Sequence, residues 1–204
     1  QLDILAVQSP VVINEVQQDT GVSDWELDIN NPAFENDKAM YDMICSGRTS
    51  GLFQIESQGM IDLISKLQPR SLNECAALVA LYRPDAMPAI DGYIDSKNNP
   101  RHIHYIHPDM AQILDDTFGQ NIYQEQSMRM TKVFGGRDDA GADKMRKCLA
   151  KKLPEKVKEE VGLLHEEILE NGYSKEVADY ICEELSAKGG YGLTKVRPLI
   201  LATV

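Results

Sequence analysis

Apolar positions along most of this chain recur at three- and four-residue spacing, the period of amphipathic helices packed on a core. Ser9-Pro10 makes a helix start, with Pro at the first helical position, and leads into VVINEVQQ. A second helix is predicted over 33–46, apolar at Phe34, Met40, Tyr41 and Ile44, and Gly47 ends it. QGMIDLISKL at 58–67 resumes the period. Ser71 followed by Glu74 is a capping box opening the helix ECAALVALY, which is apolar nearly all round and reads as a buried strut. It ends at Arg83-Pro84, because the residue before proline is pushed out of the α region. Residues 123–152 read as two helices joined by a polar turn, GGRDD, at 135–139. After Leu153-Pro154, Val157, Val161, Leu164 and Ile168 form the core stripe of a helix that stops at Gly172. Ser174 caps one more, predicted to turn Val177, Tyr180, Ile181 and Leu185 inward before Gly189-Gly190-Tyr191-Gly192 breaks it.

The helical period fails in a few places. QLDILAV at 1–7 is short, apolar and β-prone, and VRPLILATV at 196–204 is β-like. Residues 19–32 are polar, carry the only tryptophan, Trp25, and read as a loop. Residues 48–57 read as turn, short apolar segment, turn, and residues 84–108 as loop-rich. The expected fold class is therefore mostly α, a multi-helix domain with a short strand at its start.

Composition adds bounds. The 204 residues suffice for one sizeable domain or two small ones. Four widely spaced cysteines, Cys45, Cys75, Cys148 and Cys182, form no CxxC pair and read as reduced, mostly buried thiols of a cytosolic protein. No apolar run is long enough for a membrane span and no signal peptide opens the chain. It begins with Gln1 rather than Met, as expected of a piece excised from something larger.

Charge changes the picture more. The formal net charge is −11, yet between Arg129 and Lys158 ten basic residues face four acids, a local surplus of +6. Lys144, Lys147 and Lys151 recur at i, i+3, i+7 and fall on one helical face. Such a face suits phosphate, since lysine supplies a point charge and arginine a bidentate fork. On charge alone a solvated surface is the commoner explanation. Tyr123, at the start of this stretch, could stack on a base or simply pack. His102, His104 and His107 are spaced as in an extended segment, have no cysteine near them and make no firm zinc pattern; His165 reads as packed rather than catalytic. There is no P-loop, dinucleotide-binding glycine fingerprint or nucleophile elbow.

Several separated motifs occur in one order: GLFQIESQGM at 51–60, ALVALYRP at 77–84, YQEQSM at 123–128, GADKMRKCLAKK at 141–152 and GGYGLTK at 189–195. Together they resemble the fingers region of the bacterial replicative DNA polymerase III alpha subunits, the family C DNA polymerases. QLDILAVQSPVVINEV resembles the strand and helix that finish that family's palm. The resemblance covers almost the whole chain, to about Lys195, and implies three segments: 1–20 the end of the palm, 21–195 the fingers, and 196–204 a diverged tail.

The resemblance implies further roles. Asp3 falls where the family places the third of the palm carboxylates that hold two magnesium ions for nucleotidyl transfer, a catalytic and metal-binding position. Arg146 and Lys147 match the paired arginines of the fingers helix, followed by Lys151 and Lys152; these would neutralise the triphosphate of an incoming deoxynucleotide. Gln54, Arg83, Tyr123, Gln124 and Lys195 fall in motifs lining the same cleft. The implied partners of the parent enzyme are primer-template DNA, deoxynucleoside triphosphates and other replisome subunits, in the cytoplasm, with no membrane. The chain alone, with one palm carboxylate, is expected to be inactive. The chain departs from the family in having Lys147 for the second arginine, Ala150 for a glycine, Arg83-Pro84-Asp85-Ala86 for Arg-Pro-Gly-Pro, and Val196-Arg197-Pro198 where Ser-His is expected. The alternative reading is a noncatalytic helical module that binds nucleic acid or a protein partner through the same basic face.

Overall fold

The computed structural model describes residues 9–28, 31–33, 37–52, 54–84, 86–150 and 154–187. Asp3, Lys151, Lys152 and Lys195, the proposed strand at 1–7 and the tail at 196–204 lie outside the described residues. Among those described, the structure is mostly α with no strand. The chain divides into two compact units, Gln1–Val79 with Val196–Val204, and Ala80–Lys195.

In the first unit α1 spans Ser9–Thr20, and the polar stretch after it winds into a 3-10 turn, Asp24–Leu27, rather than staying irregular. Ser23 causes this, because its side chain accepts the Glu26 N–H while the Glu26 carboxylate accepts the Ser23 N–H. α2, Lys38–Cys45, starts at Asp37, whose carboxylate accepts the Met40 N–H at 2.9 Å. α3, Gln58–Leu67, starts at Ser57 and buries Met60, Leu63, Ile64 and Leu67. Polar bonds tie α2 to the turn after α3: Asp42 meets Arg70, and the Cys45 thiol donates to the Pro69 carbonyl at 3.4 Å.

α4, Leu72–Leu81, carries the chain from one unit into the next and is buried almost throughout, as its all-round apolar sequence predicts. Its capping box is only half formed. Ser71 Oγ accepts the Glu74 N–H at 3.2 Å, but the Glu74 carboxylate takes the N–H of Arg70.

The second unit corrects two expectations. Within the supposed loop region lies α5, Ile90–Asn98, hidden in the sequence by flanking Pro88 and Pro100 and by Gly92. Tyr180 is 36% exposed rather than inward, because the core face of its helix runs Val177, Ala178, Ile181, Cys182, Leu185, and position 180 sits a third of a turn away.

The remainder is a block of helices: α6, Ala111–Leu114; α7, Gln124–Gly135; α8, Asp139–Ala150; α9, Pro154–Glu170; and α10, Lys175–Ala187. They close on one core in which Met130, Phe134, Leu164, Ile168, Ala178 and Ile181 are sealed from solvent. Removing such side chains from water, at roughly 25 cal/mol per Å² of apolar area, supplies most of the driving force for this block. Phe134 also packs against Tyr173, ring centroids 4.9 Å apart, and the His107 ring stands nearly perpendicular to both, at interplanar angles of 85°.

Candidate nucleotide-binding helix

Two glycines set how α8 leaves α7. Gly135 ends α7 against α9, and a Cβ there would overlap Leu164 Cδ1. Gly136 takes the left-handed φ of +66° that reverses the chain, and Asn171 occupies the room its missing side chain leaves, donating from Nδ2 to the Phe134 carbonyl at 2.9 Å. Asp138 then receives the Gly141 N–H at 2.8 Å and starts α8.

Arg137, the residue between these devices, turns inward. Its guanidinium meets Glu160 Oε1 at 2.5 Å and Glu167 Oε2 at 2.6 Å, both on α9. The Arg137 and Glu160 side chains are only 10% and 9% exposed. Burial works to raise the Glu160 pKa, but hydrogen bonds from Lys144 and Arg137 together outweigh it and hold the carboxyl below its ordinary value. So Arg137, counted in the basic surplus, is a structural anchor and not part of an exposed cationic face.

The remaining cations of α8 are also matched by acids. Lys144 reaches Glu160 Oε2 at 2.8 Å. Arg146 places Nε and Nη2 at 2.9 and 2.7 Å from Asp143 Oδ1, and Lys147 Nζ lies 2.6 Å from Asp143 Oδ2. Arg146 and Lys147 thus converge on one carboxylate. Hydrogen bonds from Lys147 and then Arg146 hold that carboxyl below its usual range. Asp143 was legible as a partner, since it stands three and four residues before the two cations; Glu160 was not, lying 23 residues from Arg137 with no local signal.

Between α8 and α9 opens a cavity of about 620 Å³, lined by Asp143, Lys144, Lys147, Cys148, Lys156 and Glu160 among others. The i, i+3 spacing of Lys144 and Lys147 does put both on this one side. Chemically it is a mixed site: three ammonium groups and interleaved carboxylates in a groove shallow enough for solvent, suited to an anion that can exchange with the acids.

The other positions singled out in the sequence are dispersed. Tyr123 is buried, 2% exposed, so its ring packs in the protein and is not offered for stacking; burial, then the nearby charges of Glu125 and Asp116, push its hydroxyl well above the ordinary tyrosine pKa. Beside it Gln126 is a structural hub: its Oε1 accepts the N–H groups of Ile122 and Tyr123 at 2.8 and 2.9 Å, and its Nε2 donates to Thr117 Oγ1 at 2.7 Å. Gln124 and Arg83 are half-buried. Gln54, in the first unit, is exposed and holds a left-handed φ of +65°, unusual for a residue with a Cβ. His102 pairs with Asp95, His107 accepts the Asp109 N–H, and His165 meets Asp179 at 2.8 Å. All four cysteines are free thiols, with Cys75 and Cys182 buried.

The magnesium ions that the resemblance implies would need Asp3. Among the described residues no three His, Cys, Asp or Glu side chains come together where they could hold a metal, so those residues do not build a metal site. Nor is any described helix long and apolar enough to cross a membrane.

Comparison with known proteins fixes the family. The profile of the bacterial DNA polymerase III alpha subunit finger domain matches residues 10–172. The DNA polymerase III subunit alpha of Rickettsia conorii is 34% identical over 195 residues, 96% of this chain and 16% of the relative. Those of Borreliella burgdorferi and Staphylococcus aureus are 38% identical over 162 residues and 30% over 184, covering 79% and 90% of this chain. The chain spans about a sixth of the length of the curated relatives it matches. It belongs to the finger-domain family of the bacterial DNA polymerase III alpha subunit.

Proposed function

We propose that this chain is the fingers of a DNA-directed DNA polymerase of the replicative family C, and that α8 accepts the triphosphate of the incoming deoxynucleotide. The observation that carries this reading is the convergence of Arg146 and Lys147 on a single carboxylate, that of Asp143, which with Lys147, Lys144 and Lys156 lines a groove whose described lining does not include Arg146. Two cations held by one small anion are spaced to grip a phosphoryl group in its stead. Arg146 offers a planar fork and Lys147 a mobile point charge. Together they would neutralise charge on the phosphates and orient them for in-line attack, the contribution that phosphoryl transfer most needs from a protein. Lys151 and Lys152 would extend the same face. Gln54, Arg83, Gln124 and Lys195 would lie along the template and nucleotide path, with Tyr123 supporting it from within.

In the parent enzyme Asp3 would belong to the palm carboxylates that bind magnesium, with 1–20 completing the palm, 21–195 forming the fingers and 196–204 a diverged tail. Primer-template DNA and other replisome subunits would be the partners, in the cytoplasm. The chain taken alone would not extend a primer, because a single palm carboxylate cannot hold the metals.

The test is steady-state primer extension by a full-length subunit carrying this sequence. R146Q and K147Q should each raise the KM for the deoxynucleotide about tenfold or more while leaving primer-template affinity within a factor of about two. An unchanged nucleotide KM would refute the reading. Equal loss of DNA affinity for both variants, with no nucleotide preference, would instead favour a general nucleic-acid-binding face.

A further inference from the structure

Asp143 is the one carboxylate that touches both Arg146 and Lys147 in the described structure. It stands on the same helix, so the three groups need no other element to meet. Each oxygen takes one cation: Oδ1 receives the Arg146 fork and Oδ2 the Lys147 ammonium. Asp143 and Lys147, though not Arg146, line the groove, where they face the charges of Lys144 on α8 and of Lys156, Glu159 and Glu160 on α9, with the Cys148 thiol among them. Of these cations Lys144 is already engaged by Glu160.

We propose that Asp143 is an internal competitor for phosphate: it occupies the two cations of the empty helix, and an incoming phosphoryl group binds by displacing it. This rests on the reading of α8 as a triphosphate-accepting helix and assigns Asp143 a role there, that of setting affinity without touching substrate. In the exchange the carboxylate gives up one hydrogen-bonded cation from each oxygen and turns to solvent on the groove side, but it stays on the helix, so its charge still opposes the bound phosphoryl group. Such a device keeps the cations from collecting adventitious monoanions, and it makes binding weaker than the bare cation pair would allow, so that product phosphate can leave.

Because each pair is partly exposed and screened, Asp143→Asn should strengthen anion binding by about three- to tenfold rather than by orders of magnitude. The experiment uses the 204-residue chain, with inorganic tripolyphosphate as probe, by titration calorimetry at fixed ionic strength. D143N is expected to bind about three- to tenfold tighter than the parent chain, and the double variant R146Q/K147Q at least tenfold weaker. A second measurement needs no variant. The Asp143 carboxyl carbon, followed by NMR against pH, should titrate below the ordinary aspartate range in the free protein and shift upward when tripolyphosphate saturates the chain. If R146Q/K147Q weakens binding but D143N is unchanged or weaker and the Asp143 titration stays put, this inference is overturned and the triphosphate reading stands. If tripolyphosphate binds none of the three proteins, both are overturned.

Discussion

Arg137 and Glu160 form a nearly buried ion pair at 2.5 Å, joining the turn before α8 to the middle of α9. Neither partner is spare: Arg137 also meets Glu167, and Glu160 also receives Lys144. A buried pair of this kind is costly to break from one side, because the remaining charge is left without a counter-ion. Arg137→Met, which keeps the stem and removes the charge, should therefore destabilise the chain by about 2–4 kcal/mol in urea unfolding. Glu167→Gln, on the 37%-exposed partner, should cost about 1 kcal/mol or less. Equal effects from the two substitutions would show that the inner pair contributes nothing special.

The same cluster predicts a pH dependence. Glu160 titrates below its ordinary value when folded, so it binds protons more readily unfolded than folded. Its stabilising contribution is then complete above the ordinary carboxylate pKa of about 4.3 and is lost as pH falls from there through the lower folded value. Chemical-denaturation midpoints measured from pH 7 to pH 3 should fall steeply at the acid end. In Glu160→Gln that limb should be shallower. A parallel fall in both proteins would place the acid sensitivity elsewhere.

Gly135 makes a steric prediction. Its helix lies so close to α9 that a methyl group would overlap Leu164 Cδ1, and Leu164 is itself fully buried. Gly135→Ala should raise intrinsic helix propensity yet lower stability, by about 1–3 kcal/mol, the usual range for overpacking. Adding Leu164→Ala should recover part of the overlap while losing burial, so the double variant should be more stable than the sum of the singles predicts. Simple additivity would argue against the contact.

The thiols should separate by accessibility. Burial, then the charge of Asp179, pushes the Cys182 thiol up to about 11, and it donates to the Val161 carbonyl at 3.5 Å. At pH 8 only about one molecule in a thousand would carry its thiolate, against a substantial fraction for an ordinary thiol. A disulfide reagent should modify the half-buried Cys45 and Cys148 first, and Cys182 only as the protein opens. Prompt modification of Cys182 in the native chain would contradict its place in the core.

Tyr123 offers a control on how the basic region is read. With a ring 2% exposed, Tyr123→Ala should cost about 3 kcal/mol in stability, whereas Tyr123→Phe should cost little. Loss of nucleotide binding by Tyr123→Phe at full stability would mean that the hydroxyl acts on ligand after all.

What the sequence made legible followed from local rules. The helices Gln58–Leu67, Leu72–Leu81, Gln124–Gly135, Asp139–Ala150, Pro154–Glu170 and Lys175–Ala187, the polar turn at Gly135-Gly136 and the Val161, Leu164, Ile168 stripe depend on period, caps and glycine, all of which act within a few residues. The helix Ile90–Asn98 was concealed because its breakers are local while the burial of Tyr93 that rewards it comes from tertiary packing. The site was half visible. Spacing placed Lys144 and Lys147 on one side of α8, but a surplus of charge said nothing of which cations are free. Arg137 went to the interior, and Arg146 and Lys147 share an acid that had only been counted against them.

The inward turn of Arg137 also bears on motion. With Arg137 and Lys144 both moored to Glu160, and Asn171 fastened to the end of α7, helix α8 has no slack of its own at its amino end. Any displacement of α8 would therefore carry α7 and α9 with it as one stiff paddle. Its hinge would have to be sought outside the Gly135–Asp139 turn, although glycine-rich turns are where hinges are commonly sought first.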